Sequence, residues 1–495
     1  VASRRLHQAL SGRRLTRRQY EQQLPRLQDR LLDAQVRLRE SRSHAVVMIV
    51  TGIPAAGRSE VVNELLEWLD PKHVTVFGFG RRNDVERERP VLWRYWQTLP
   101  PRGRSAILHG GWYQEALLAA AGLTAAHPPD APGRDPERIR QLEQMLVRDG
   151  VALCKVHLHV APDTQQKRLA RLAEDKTTRW RVTAEDRWLA RHYARVERAC
   201  ERTLAATDTP LAPWHVVDGT DREHRVLEVG RRLLAALERP PAGGPRSRPL
   251  ARLSAAAMRR PLPSRAPPPA PDAADYDEEL ERLQGRLALL SRRKRFARHA
   301  VVVAFEGMDA AGKGGAIRRV TAALDARQFR VVPVSAPTPD ELAHPYLWRF
   351  WRQLPPRGSY TIFDRSWYGR VLVERVRGFA KVPDWRRAYA EINEFEQQLH
   401  EHQVIIAKFW MSVGKAEQLV RFNERDRDPL KRFKVDPEDW ANRKLWNPYQ
   451  AAAREMIART STPDAPWLVV PADDKRCARL TVLRALVERI EAALG

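Results

Sequence analysis

The chain has 495 residues, 43% of them apolar and 30% charged, which is too long for one ordinary core and too apolar for wholesale disorder. No run of 18 uncharged apolar residues offers a membrane span, and the scattered Cys154, Cys200 and Cys477 form no CxxC pair, which argues against a disulfide framework or zinc site and for a reducing, cytoplasmic setting. The formal net charge of +25 points to a polyanion, although charge alone separates neither nucleic acid, nucleotide phosphates and an inorganic phosphate polymer from one another nor any of them from arginines that merely solvate exposed faces.

In chain order, Arg4, Arg5, Arg13 and Arg14 are followed by Arg- and Gln-rich sequence in place of an apolar segment, which argues against a secretory signal. A first helix carries Tyr20, Leu24, Leu27 and Leu31; its pattern returns at Tyr276, Leu280, Leu283 and Leu287, a shift of 256. The stretch from Leu92 to Gly103 recurs from Leu347 to Gly358, a shift of 255 that also carries Gly52 to Gly307, Gly57 to Gly312 and Trp112-Tyr113 to Trp367-Tyr368. The chain is therefore an internal duplication, with one copy over 1–239 and the second over 272–495. Between them, residues 240–271 hold ten prolines, six arginines and no acid, a composition that forbids regular helix and suits a semi-extended linker; its arginines are either plain spacer or an anion contact.

In the second copy an amphipathic helix is expected over about 275–296, followed by a glycine-bounded apolar strand over 300–305 and a helix from Gly315. Further strand-like runs at 329–334, 361–363, 404–409 and 467–470 alternate with helical stretches around Trp348 and over 385–399, 416–423, 441–457 and 479–493. Such alternation predicts an α/β fold, in each copy a parallel sheet with helices on both faces; together with the glycine-rich loop at 307–314 and the basic cluster at 421–434, the chain reads as two tandem P-loop kinase-like domains, each with a helical lid.

After the first strand of this copy comes Gly307-Met308-Asp309-Ala310-Ala311-Gly312-Lys313-Gly314, which fits G-x-x-x-x-G-K between strand and helix. The backbone of Gly307, Ala310, Ala311, Gly312, Gly314 and Gly315 would cradle phosphate, and Lys313 would bring an ammonium to the transferred group. Gly314 replaces the usual magnesium-binding Ser or Thr, so Mg2+ needs other oxygens, for which Asp309 and Asp364 are the candidates. Asp364 ends the run 360–363, where open parallel sheets bind ligands; a capping or turn aspartate is the alternative. Arg365 follows in reach of phosphate, with Arg370 added to the phosphate-binding set, while Trp367 and Tyr368 read as packing because the first copy keeps them. The cluster Arg421, Arg425, Arg427, Lys431, Arg432 and Lys434 reads as a phosphate-covering lid in preference to a solvated charge run.

The runs Glu306 to Ile317 and Phe363 to Arg375, with the 431–434 region, resemble the polyphosphate kinase type 2 family across nearly all of 275–495. The resemblance implies phosphoryl transfer between inorganic polyphosphate and nucleotides. The tandem arrangement, and Gly369 after Trp367-Tyr368, are similar to the subgroup that phosphorylates AMP to ADP. It implies Asp309 and Asp364 at the acceptor phosphate and Mg2+, Lys313 and Arg365 on the phosphates, and Arg425, Lys431 and Lys434 on the polymer. In the first copy Lys313 becomes Arg58, Asp309 becomes Pro54, Asp364 becomes His109 and Arg365 becomes Gly110, which predicts a catalytically inactive domain. The competing readings are an ATP-dependent nucleotide kinase and a non-catalytic polyanion-binding protein, although a pure RNA binder has no use for the intact Asp309, Lys313 and Asp364, so nucleic acid is the disfavoured partner. The duplication is compatible with a homo-oligomer or with two copies that fill the places of separate subunits.

Overall fold

The structure is a computed structural model that describes residues 5–122, 136–241, 272–429 and 437–495. Most of the expected linker, from 242 on, and Lys431, Arg432 and Lys434 of the expected lid lie outside the described residues. Two compact units are present, one made of Val1–Glu86, Val91–Pro245 and Pro337–Trp348, the other of Arg87–Pro90, Arg246–Ala336 and Arg349–Gly495.

The first unit is built on β1 (Ala45–Gly52), β2 (Val74–Gly78), β3 (Ser105–His109), β4 (Val151–His159) and β5 (Trp214–Asp218), and the second on β6 (Ala300–Gly307), β7 (Phe329–Pro333), β8 (Tyr360–Asp364), β9 (Val404–Ser412) and β10 (Trp467–Pro471). Every strand pairing is parallel, and the sheet orders β2-β3-β1-β4-β5 and β7-β8-β6-β9-β10 are the same order. The registers agree as well: Val50 lies opposite His109 as Phe305 lies opposite Asp364. The duplication read in sequence is thus a duplication of fold.

The apolar runs become strands because both their faces are covered. On β9, Phe409 points into the core with Val301, Val303, Phe305, Leu483 and Leu486, and its ring stacks on Phe305 at 5.2 Å between centroids. Burial of side chains of this size contributes roughly 1.5–3 kcal/mol each. Its neighbour Lys408 points to the opposite face and meets Glu396 on the helix Val382–Glu401, as successive strand residues must alternate. The helix Lys475–Leu494 covers the first face, with its buried residues spread around its circumference.

Most expected elements extend by a few residues at their ends, as the strand of 404–409 does to Val404–Ser412 and the helix of 385–399 to Val382–Glu401, and three further boundaries shift. The leading helix of the second unit ends at Ser291 and a 3-10 turn, Lys294–Arg298, completes the connection to β6. The helix after the loop opens at Lys313, two residues early, because Gly312 caps it in the left-handed conformation. The stretch expected as one helix over 441–457 is two, Pro437–Lys444 and Trp446–Thr460, parted at Leu445.

Lys408 is the centre of a buried network that neither copy has lost. Its ammonium meets Glu396 Oε2 at 2.7 Å, the Tyr368 hydroxyl at 2.9 Å and Thr460 O at 2.7 Å, while Tyr368 OH and Trp367 Nε1 donate to Glu396 Oε1 at 2.6 and 3.0 Å. In the first unit Lys155, Glu143, Tyr113, Thr207 and Trp112 repeat it, with Lys155 Nζ 2.7 Å from Glu143 Oε2. The Trp-Tyr pair is therefore a packing element that anchors a buried charge.

Candidate active site

β6 ends at Gly307, and the chain turns through Met308–Gly312 into the helix Lys313–Thr321. The turn needs unusual backbone. Gly307 has φ 143°, and a Cβ there would sit 2.4 Å from Met411 O, so the position excludes any side chain. Gly312, at φ 97°, and even Ala310, at φ 59°, also lie in the left-handed region. A turn of this kind before a helix gathers amide N–H groups into an anion-binding concavity.

Residues distant in sequence hold the carbonyl side of the loop. Arg421, buried on the helix Lys415–Arg427, donates from Nη1 to Ala310 O at 3.0 Å and from Nη2 to Ala472 O and Asp473 O at 2.7 and 2.8 Å. Gln418 Nε2 donates to Asp309 O at 2.9 Å. Arg421, grouped by sequence with the lid, is instead a brace of the phosphate loop. Arg168 and Gln165 do the same for the first unit's loop, bonding Ala55 O at 3.0 Å and Pro54 O at 3.0 Å.

The candidate side chains Lys313, Asp309 and Arg365 converge around this turn. Lys313 Nζ donates to Gly307 O and Met308 O at 2.9 and 3.2 Å, so the ammonium lies folded against its own loop. Asp309 accepts from Arg365 Nη2 at 2.6 Å on one oxygen and from Asn442 Nδ2 at 3.0 Å on the other. Asp364, at the carboxyl end of β8, makes no side-chain hydrogen bond or ion pair among the described residues. Arg365 sits at φ 64°, and although burial opposes its charge, Asp309, Glu306 and Asp364 hold its pKa above the ordinary value. Arg370, by contrast, donates from Nε to Glu374 Oε2 at 2.7 Å.

Two further residues at the site were not singled out in the sequence, although Glu306 opens the run that carries the family resemblance. Glu306, the last residue before Gly307, is buried and accepts from both the amide and the hydroxyl of Ser366 at 2.8 Å each. Burial pushes its pKa up to about 7 against the pull of Ser366, Lys313 and Arg365. A lone acid closing an apolar strand was the available sign. Asn442 offered none, since only the fold brings its helix to Asp309.

On the other flank of the loop, a cleft of about 220 Å³ is lined by Gly312, Gly315, Arg318, Arg425, Lys475 and Arg479, with Glu424 also on its wall. Burial lowers the pKa of Arg425 while Asp439 raises it. Arg425 was expected at the phosphates; Arg318, Lys475 and Arg479 were not, because they lie on two helices far apart in sequence, Lys313–Thr321 and Lys475–Leu494. The first unit has filled the equivalent space: Gly315 corresponds to Glu60 and Ala478 to Arg225, and these two form an ion pair there.

The donor set fits a hard divalent ion. No group of three His, Cys, Asp or Glu side chains that could hold a metal occurs among the described residues; Mg2+ takes one or two carboxylates and completes its shell with phosphate oxygens and water. Asp364 has its carboxylate free for that purpose, and Asp309 would have to exchange Arg365 for the ion.

A parallel sheet with a glycine-rich loop and convergent Lys, Arg and Asp side chains at the carboxyl end of its central strand defines an α/β phosphotransferase of the nucleotide-kinase kind. The family model described as Polyphosphate kinase 2 (PPK2) matches residues 14–242 and again 270–494, so the chain belongs to the polyphosphate kinase 2 family, with two family domains in tandem. It is 43% identical over 489 residues to the polyphosphate:AMP phosphotransferase of Pseudomonas aeruginosa, covering 97% of this chain and 98% of that one. The polyphosphate:AMP phosphotransferase of Pseudomonas syringae pv. tomato is 44% identical over 483 residues, 96% of each chain. A crystal structure of polyphosphate kinase 2 from Pseudomonas aeruginosa PA01 superposes with a TM-score of 0.86 at 42% identity, covering 99% of both chains.

Proposed function

We propose that this chain transfers the terminal phosphoryl group of inorganic polyphosphate to AMP, giving ADP and a polymer one phosphate shorter, with catalysis confined to the carboxy-terminal unit. The cleft carries the argument. Four cationic side chains, Arg318, Arg425, Lys475 and Arg479, line a groove that runs to Gly312 and Gly315 of the phosphate loop, and such a wall suits a linear polyanion better than a compact donor. The near full-length similarity to relatives named for this reaction supports the same acceptor.

In the reaction an AMP α-phosphate oxygen attacks the terminal phosphorus of the chain, and the bond from that phosphorus to its bridging oxygen breaks. The two reactants repel each other, so positioning and charge neutralisation are the protein's main work. Lys313 leaves its loop carbonyls for the phosphate oxygens, and Arg365 turns from Asp309 to the equatorial oxygens in flight. The loop amides hold the phosphoryl group while Arg421 and Gln418 keep the loop from yielding. Asp364, and Asp309 once Arg365 has moved, would hold Mg2+, which when bound offsets the negative charge of the reacting phosphates.

The first unit keeps the fold and the loop braces but carries Pro54, His109 and Gly110 where Asp309, Asp364 and Arg365 stand. Its pairing of Glu60 with Arg225 occupies the space corresponding to the donor cleft. We assign it no turnover. All three cysteines are buried free thiols, in keeping with a reducing, cytoplasmic setting; the described residues contain no helix long and apolar enough to cross a membrane. The test offers the purified protein AMP with either long-chain polyphosphate or ATP, over a magnesium titration, and measures ADP. ADP formed from polyphosphate, rising with Mg2+, is the expected result; ADP formed only with ATP defeats the proposal.

A further inference from the structure

Comparison of the two units inside one chain separates what the fold needs from what the chemistry needs. Both keep the buried Lys-Glu-Tyr-Trp network and the Arg-Gln braces of the loop. The first unit has lost Asp309, Asp364 and Arg365, and with them two residues to which no role has yet been given: Glu306 becomes Thr51 and Ser366 becomes Gly111. Loss in company with the reactive groups, against retention of the buried network and the loop braces, marks the pair as serving the reaction.

The geometry says how. Arg365 occupies φ 64°, a conformation an L-residue adopts at a cost and keeps only when its surroundings enforce it. On one side its amide is bonded to Phe305 O at 3.0 Å. On the other, Ser366 is held by amide and hydroxyl alike on a single Glu306 oxygen, Oε1. Phe305 and Glu306 are consecutive on β6, so the strand that leads into the phosphate loop grips the Asp364-Arg365-Ser366 turn at two points. In the first unit the backbone bond is kept, from Gly110 N to Val50 O at 2.9 Å, but the corresponding turn has glycines at both positions, Gly110 at φ 84° and Gly111 at φ 52°, and the side-chain hold on it is gone.

We propose that Glu306 is a positioning residue for phosphoryl transfer, holding Ser366 so that the strained Arg365 is presented to the phosphate loop. The inference rests on the assignment of the carboxy-terminal unit as the catalytic one. Glu306 acts through acceptor geometry: its Oε1 takes two hydrogen bonds, and an amide oxygen in its place can take the same two.

The experiment measures ADP formation from polyphosphate and AMP by Glu306→Ala, Glu306→Gln and Ser366→Ala in the full chain, with KM for AMP and kcat separated and folding followed by circular dichroism. If wild-type protein makes no ADP from polyphosphate, the proposed function has failed and Glu306 has not been judged. With wild type active, Glu306→Ala is expected to lower kcat on the order of 100-fold, the scale of a misplaced catalytic group, with little change in KM. Glu306→Gln recovers most of that loss, and Ser366→Ala falls between. Wild-type kcat in folded Glu306→Ala, as expected of a merely structural residue, or Glu306→Gln as slow as Glu306→Ala, as expected of a required charge, overturns the proposal. If Glu306→Ala does not fold, the other two variants decide it: Ser366→Ala slower than Glu306→Gln supports the role, and the reverse order refutes it.

Discussion

At the scale of the residue, the site is a balance of opposite charges held in waiting. Asp309 and Arg365 neutralise each other at 2.6 Å, and Lys313 rests on two carbonyls, so the groups proposed to meet phosphate already have partners that they would have to leave. Replacing Lys313 with Ala or Asp364 with Asn is expected to reduce ADP formation by at least about 100-fold, the size of loss that follows removal of one preorganised charge at a transition state. A steady-state assay with polyphosphate and AMP reads this directly, and near-normal rates in either variant would remove the residue from the mechanism. Glu306 makes a separate prediction about stability. Its folded pKa, about 7, lies above its ordinary 4.5, so the folded state holds the proton more tightly. The corresponding stability is complete below about pH 4.5 and is lost as pH rises towards 7, by an amount on the order of 3 kcal/mol. Glu306→Gln cannot titrate. Its unfolding midpoint should therefore gain on that of wild type between pH 5 and pH 7, and a constant difference across that range would contradict the shift.

At the scale of the element, the loop depends on the helix Lys415–Arg427 behind it. Arg421 alone satisfies Ala310, Ala472 and Asp473, and a buried acceptor left unsatisfied costs roughly 1–3 kcal/mol. Arg421→Ala is expected to lower the melting temperature and raise KM for polyphosphate together. Arg421→Lys should rescue neither fully, because a single ammonium cannot span the three carbonyls that the planar fork reaches. On the opposite face of the sheet, Lys408→Met strands the Glu396 carboxylate in the core and is expected to cost about 3–5 kcal/mol. Adding Glu396→Gln removes the stranded charge while retaining an acceptor for Trp367 and Tyr368. Denaturant unfolding of the two single variants and the double should show strong coupling, and additive losses would mean that the pair is not a unit.

At the scale of the whole molecule, duplication has divided conservation of fold from conservation of chemistry. If the first unit has no turnover of its own, any activity that Asp364→Asn retains in the full chain is unchanged by adding Arg58→Ala. A residue of activity abolished by Arg58→Ala would show the first unit to be an enzyme after all. The net charge of +25 belongs to this scale too. Attraction of a polymeric anion to such a surface is screened over about 8–10 Å at ordinary ionic strength, so KM for polyphosphate should climb steeply with salt while KM for AMP, bearing fewer charges, climbs less.

Read without a structure, the chain already contained the repeat, the alternation of strand and helix, the loop with Lys313, and the aspartates Asp309 and Asp364. The repeat shows on matching the chain against itself, and each of the others is a local pattern, because strand period, loop length and the place of an acid at a strand's end are settled within a dozen residues. The grip of Glu306 on Ser366, the link from Asn442 to Asp309, the brace from Arg421 and the cationic wall of Arg318, Lys475 and Arg479 had no such pattern. They join residues from about 50 to more than 160 positions apart, as the lining of the cleft and the bonds to the loop require. A parallel sheet brings the carboxyl ends of all its strands to one edge, and only that convergence turns separate side chains into a site.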